Sequence, residues 1–304
     1  MANNENRSTR SAAAFFNMLR SGGLYTEISD ALVANPEWAK RRTPDGDTAL
    51  HVVCYSSSRG ASGRSCAIVL EAWPEAACVA NGAGKLPIHF AAHFCPSVFC
   101  LSLLRAYPKA VTLRTHHGLL PLHFAAAHAA DVVEAMLVVS PKTATCVARS
   151  KDLPIHQALR VKAVGVEQKA NQARVVELLL GAFPGATRAA GGSGDLPLHL
   201  ALRCGASSAA IRTLLAADPR SSRVADGLGR LPLALLSIAS SPEDVCDVVF
   251  KALCVKTPAA GGAAPTEAAK ERAGAVHAAS AETATKAAVV EGDGGSGGRG
   301  RAPT

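Results

Sequence analysis

Apolar positions along the chain gather into six short runs with helical spacing, and each run stops at a proline: EISDALVANP, SCAIVLEAWP, CLSLLRAYP, VVEAMLVVSP, VVELLLGAFP and AIRTLLAADP. A helical hydrogen-bond ladder cannot continue through proline, so these runs predict helices that end there. After a polar stretch, a second and smaller apolar pattern opens with Leu-Pro-Ile-His or a close variant. The interval between the two features is constant. Pro36 to His51, Pro74 to His89, Pro108 to His123, Pro141 to His156, Pro184 to His199 and Pro219 to Ala234 are each 15 residues apart. The return from histidine to the next proline varies from 18 to 28 residues. A fixed segment alternating with a variable one predicts stacked repeats, with insertions confined to one connection.

The fixed segment has a physical reading. Five residues before the histidine position stands Gly46, Gly84, Gly118, Gly194 or Gly229, with Lys151 the exception. Glycine there predicts a turn that needs positive φ. The proline of Leu-Pro then opens the next helix instead of breaking one, because a first-turn N–H has no partner to lose. Small residues follow the histidine in FAAHF, FAAAH, QALR and LALR, predicting a short inner helix that packs closely. The proline-ended runs supply longer outer helices. Asp131 followed by Glu134 reads as an N-cap with an acid at the third helical position, and Ser241 with Pro242 reads as another helix start. The long connections 56–65 and 161–171 read as surface loops or a helix extension.

Composition changes the picture in one respect. Aromatic residues are 4%, charged residues 18%, and much of the 48% hydrophobic total is alanine. Alanine lets helices approach closely but adds little buried area per residue, which argues against a conventional enzyme domain with one rounded core. No apolar run reaches the roughly 18 residues that a bilayer span needs. The start, MANNENRSTR, has no apolar stretch of the secretory kind. Arg7, Arg10 and Arg20 around SAAAFF admit a transit peptide, but a first helix with a polar lead-in is the preferred reading. Nine cysteines without a Cys-x-x-Cys pair fit a reducing compartment, so an intracellular location is expected, cytoplasmic with the nucleus left open. Residues 41–257 carry 23 basic and 15 acidic groups, an excess equal to the whole net charge of +8, which builds in a mild preference for acidic surfaces.

Turn, Gly-x-Leu-Pro-Leu-His-x-Ala, short helix, loop and outer helix with paired leucines: this pattern resembles the ankyrin repeat, over about residues 24–257. The resemblance implies an all-α solenoid in which each unit is a helix pair with a projecting loop or hairpin, stacked into a curved row. The family's Thr-Pro-Leu-His is altered here, since Leu86, Leu120, Leu153, Leu196 and Leu231 replace the threonine and Thr48 alone keeps it. The threonine-to-histidine hydrogen bond is therefore expected to be missing from most units, with inter-unit apolar contact in exchange. The expected organisation is a disordered lead at 1–11, a repeat domain at 12–257 and a disordered low-complexity tail at 258–304, with a transient helix over 266–290. Residues 12–35 are expected to cap one end and 242–254 to form the last outer helix.

Candidate chemistry is sparse. His51, His89, His123, His156 and His199 recur once per unit, so stacking sets them about 8–10 Å apart and they cannot share one ion; backbone hydrogen bonding is the expected role. Cys95 and Cys100, with His89 and His93 near, form the best local cluster, read as helix-end packing in preference to zinc. No nucleophile elbow, phosphate-binding loop or His-Glu-x-x-His motif occurs. No catalytic residue, cofactor or metal is expected.

The binding face is the more useful inference. In ankyrin-like stacks, partners meet the turn tips and the free side of the inner helices. Positions four and five after each histidine give Tyr55, His93, Phe94, His128, Arg160 and Arg203. The turn side gives Asp47, Lys85, His116, His117, Arg149, Asp152 and Asp195. Aromatics and arginines on one concave strip suit a protein interface. The expectation is a non-catalytic, monomeric adaptor, scaffold or recognition subunit that binds a protein partner. The alternative is nucleic-acid association through the basic middle, which is disfavoured because the charge is modest and no aromatic platform for bases is interleaved with it.

Overall fold

The computed structural model describes residues 12–57, 63–236 and Val249. The expected lead at 1–11, the helix start at Ser241, the last outer helix at 242–254 and the tail from 258 lie outside the described residues. Contacts divide the chain into Met1–Val255 and Lys256–Thr304, and everything described belongs to the first part.

Helices fill two rows. A first pair, α1 (residues 12–20) and α2 (Tyr25–Ala34), precedes the repeats. The inner row is α3 (Ala49–Ser56), α5 (Pro87–Phe94), α7 (Pro121–Ala125), α9 (Pro154–Arg160), α11 (Pro197–Cys204) and α13 (Pro232–Leu236), each packed on the next. The outer row runs from α2 through α4 (Gly63–Ala72), α6 (Ser97–Ala106), α8 (Ala130–Val139) and α10 (Gly165–Ala182) to α12 (Ser208–Ala217). Among the described residues there is no strand, only an isolated bridge between Arg42 and Thr48.

The apolar spacing explains the layering. In α12, Ala210, Ile211, Leu214 and Leu215 are buried while Arg212 and Ala216 face out, a single stripe at helical period. Leu50, Ile88, Leu122, Ile155 and Leu198, one in each of the first five inner helices and each beside its histidine, are buried, whereas Leu233 of α13 is exposed. A fully buried side chain of this size contributes about 1.5–3 kcal/mol, which no isolated unit can collect. At the free end of the row, Phe15, Phe16 and Leu19 of α1 turn inward and Ala13, Asn17 and Arg20 turn outward.

The outer-helix prolines do more than stop a helix. Each one opens a short 3-10 helix: Pro36–Lys40, Pro74–Cys78, Pro108–Thr112, Pro141–Thr145, Pro184–Arg188 and Pro219–Arg223. The residue before proline is driven out of the helical region, as Asn35 at φ −143° and Trp73 at φ −152° show. Both prolines of a unit therefore start a helical turn, with Ala49 standing in place of the second one in the first unit.

The turns repeat with one geometry. Gly46, Gly84, Gly118, Gly194 and Gly229 have φ between 70° and 79°, and Lys151 takes the same conformation at 61°. At Gly84 a side chain would also meet His116, whose ring lies 2.7 Å from where a Cβ would stand. Neighbouring turns are joined through backbone, with Gly82 N–H donating to Asp45 (2.9 Å), His116 to Ala83 (3.0 Å) and Arg149 to His117 (3.0 Å).

The histidines are structural. Nδ1 of His51, His89, His123 and His156 accepts from the backbone N–H three residues earlier, at 2.9–3.1 Å. Nε2 of His51 reaches Lys85 O at 2.9 Å, that of His156 reaches Ala189 O at 3.1 Å and that of His199 reaches Val224 O at 3.0 Å, each in the next unit. The threonine hydroxyl adds a 2.8 Å bond to His51 alone. Where leucine replaces it, the backbone contact survives at Leu86, Leu120 and Leu153 but not at Leu196, and the leucine is buried at all four, whereas Leu231 stays exposed.

One local expectation is corrected, and the helix-extension reading of 161–171 holds. Asp131 is not the N-cap of α8. The cap position is Ala129, and Asp131 sits inside the first turn, accepting from Ser97 Oγ at 2.9 Å. The half-buried Ala130 N–H is instead satisfied by Asn171 Oδ1 at 3.0 Å, from the next unit. That is possible because the connection at 161–171 is mostly helix: α10 begins at Gly165 and carries Asn171 across to α8.

Candidate functional site: the free face of the inner helices

Stacking the inner helices brings one side of each into a continuous strip. In its first half the strip is aromatic. Tyr55, exposed at the end of α3, meets Phe94 and Phe90 of α5 edge-on, with ring centroids 5.2 and 6.2 Å apart. His93 lies 4.3 Å from Phe94, 4.2 Å from the exposed His128 and 6.5 Å from Phe124. Lys85 places its ammonium 5.1 Å from the Phe90 ring and 5.8 Å from that of Phe124. These rings prefer edge-to-face contact because each offers a positive rim to a negative face. Five of the residues picked by position, Tyr55, Lys85, His93, Phe94 and His128, thus touch through one cluster.

Burial sets the protonation of this patch. The His93 ring is pushed down to about 4 by loss of water, then by His128 and Lys85 beside it, and His128 is lowered by burial too. Both imidazoles are neutral at pH 7 and present apolar edges with one donor and one acceptor each. A cavity of about 170 Å³ opens next to His128, lined by Ala126, Ala158, Val161, Asn171 and Gln172 among others.

In its second half the strip is cationic. Arg160 and Arg203, each at the end of an inner helix, pair with Asp152 (2.9 Å) and with Asp195. The carboxylates are buried and the guanidinium groups stay 43% and 39% exposed. Asp152 and Asp195 therefore do not face a partner directly. Asp152 also accepts from Ser150 Oγ (3.1 Å) and from Gly192 N–H (3.3 Å), so it ties two turns together while it aims the arginine. Asp47 is half-buried and accepts from Asn81 Nδ2 at 2.7 Å. His116, His117 and Arg149 are exposed at the turn tips.

Sequence position alone missed Phe90 and Phe124. The available signal was that each follows its motif histidine directly, where the ring edge also meets His51 (5.8 Å) or His89 (5.7 Å). Arg114 was missed as well. Its guanidinium donates to Gly118 O (3.0 Å) and Val147 O (2.7 Å), bridging two turns.

No protein-family model and no curated protein matches the chain. Among solved structures, the crystal structure of the human ASB11 ankyrin repeat domain is similar, with a TM-score of 0.58 at 18% sequence identity, covering 81% of this chain and 99% of that one. With the six registered units, the turns and the two helix rows, this similarity gives the chain the ankyrin-repeat fold.

Proposed function

We propose that the protein is a non-catalytic binding module that captures a protein partner along the free, concave side of its inner helices. The observation that carries the reading is the continuous ring cluster from Tyr55 to His128, partly solvent-facing and not needed to close the core between the helix rows. Aromatic side chains offer large contact area at small entropy cost, and they dominate the energetics of protein interfaces. The pinned guanidinium groups of Arg160 and Arg203 extend the surface with directed donors for carboxylate or backbone oxygen. A bound segment would lay apolar side chains on the first half of the strip and acceptors on the second. The described residues at this face hold no nucleophile–base pair aimed at a common point, which supports recognition over chemistry.

A displayed random-peptide library selected on the full chain tests this. Simultaneous Tyr55→Ala, Phe94→Ala, Arg160→Ala and Arg203→Ala should abolish capture of the selected peptides while the circular dichroism spectrum stays helical. Undiminished capture by a folded quadruple variant rejects the face. Capture that requires nucleic acid, or that vanishes with modest salt irrespective of the four substitutions, supports electrostatic association through the basic middle instead.

A further inference from the structure

Three cysteines remote in sequence converge beside the first helix row. Cys54 lies in the middle of α3, Cys66 in the first half of α4 and Cys95 at the C-cap of α5. Their sulfurs all fall within 4.8 Å of one another, and Cys66 Sγ is 4.0 Å from Cys95 Sγ. Ser57 completes the group, its hydroxyl 3.4 Å from Cys66 Sγ and 3.3 Å from Cys95 Sγ. Cys54 and Cys66 are buried; Cys95 and Ser57 are half-buried and leave one side of the cluster open.

The distances select a use. A disulfide needs sulfurs about 2.05 Å apart, and three thiols cannot all be consumed in pairs. Metal–sulfur bonds of about 2.3 Å at tetrahedral angles set sulfurs about 3.8 Å apart, and a trigonal arrangement about 4.0 Å apart. The hydroxyl stands where a fourth, neutral ligand would. We infer that Cys54, Cys66 and Cys95 form a zinc site that joins the first repeat to the second, with Ser57 Oγ or a water as the fourth ligand.

Binding requires the thiols to be deprotonated, and the bound cation supplies the counter-charge that buried thiolates need. Zinc replaces the S–H protons, which leave to solvent; three thiolates and a neutral fourth ligand around Zn²⁺ carry a net charge of −1. Cys100 is not among the converging sulfurs and bonds Ala91 O at 2.9 Å, and His89 serves its own backbone. The local cluster of Cys95 and Cys100, read from sequence as helix-end packing, shares only Cys95 with this group, which spans three helices.

The test uses the full chain kept reduced with a phosphine and titrated with cobalt(II), then zinc. The expected result is one equivalent of cobalt giving thiolate charge-transfer and tetrahedral d–d bands, displaced by zinc. Zinc should also raise Tm and protect Cys66 and Cys95, but not the exposed Cys78, from alkylation as read by mass spectrometry. Cys95→Ser and Cys66→Ser should each weaken zinc binding by more than the about 10–100-fold that loss of an outer-shell partner costs, while Cys78→Ser leaves it unchanged. The absence of cobalt–thiolate bands, bands that survive both substitutions, or alkylation of Cys66 and Cys95 at the same rate with and without zinc would overturn the site. The alkylation arm needs no variant, so it decides the matter even if a substitution prevents folding. None of these readouts depends on partner capture.

Discussion

The two halves of the inner face use the same slots for different chemistry. The residue before the Leu-Pro (or Thr-Ala) step and the residue eight positions later occupy the same two slots in successive units, and in the fourth and fifth units they meet as ion pairs. In the first two units these pairs are Asp47 with Tyr55 and Lys85 with His93; in the fourth and fifth they are Asp152 with Arg160 and Asp195 with Arg203. Tyr55, Lys85 and His93 of the first pairs join a ring cluster while Asp47 turns to Asn81, and the last pairs lock buried carboxylates to half-exposed guanidinium groups. Turn geometry and helix start are shared by both halves. The fold thus separates what must be constant from what is free to vary, and the variable slots lie on one face.

The largest expected effect tests what the halves share. Burial drives His89 and His123 down to about 4 and lowers His51, His156 and His199 as well, against about 6.5 in an unfolded chain. Between those values the unfolded chain binds more protons than the folded one. Stability is therefore complete above about pH 6.5 and falls as pH drops toward 4, by on the order of 3 kcal/mol for a histidine like His89 or His123. Urea unfolding followed from pH 7.5 to 4.5 should show the midpoint falling steadily. A midpoint that holds level across this range contradicts the ladder.

A smaller effect separates the second half from the first. Asp152→Ala removes acceptors from Ser150, Gly192 and Arg160 together and should cost about 2–3 kcal/mol. Arg160→Ala leaves the carboxylate its other donors and should cost about 1 kcal/mol or less. Thermal unfolding of both variants ranks them, and an equal loss would mean that the arginine, not the turn, is what Asp152 serves.

In the first half, the same comparison should come out weaker for folding. Phe94→Ala removes two ring contacts at a half-exposed position, with an expected cost of about 1 kcal/mol. Smallest of all is Lys85→Met, which forfeits a cation over two rings for about 0.5–1 kcal/mol. That substitution has a sharper readout, because the Lys85 charge helps to hold His93 down. The His93 imidazole resonance should titrate at higher pH in the variant; an unchanged titration would place the ammonium elsewhere.

Much of this was legible in the sequence because the repeat multiplies each signal. One Leu-Pro-Ile-His is weak, but six at a fixed interval specify turn, helix start and layer. Lys151, the exception to the glycine pattern in the sequence, takes the conformation that its glycine counterparts have, which only the structure shows. What escaped depends on contacts between units. Asp152 and Asp195 read as surface acids by position, but turn donors and an arginine eight residues on draw them inside. Asn171 caps a helix 41 residues away and Cys54, Cys66 and Cys95 come from three helices, so no local spacing announces either. The outer-helix prolines were read as stops because a break is visible in one run, whereas the 3-10 turn that follows carries no apolar period of its own.

Site-specific photo-cross-linking tests the binding face most directly. A benzophenone amino acid is placed in turn at Tyr55 and Phe94 on the inner helices and at Val98 and Val138, which are exposed on the outer row. A library-selected peptide should cross-link from positions 55 and 94 and not from 98 or 138. Cross-linking from the outer positions, with none from the inner pair, would contradict the account.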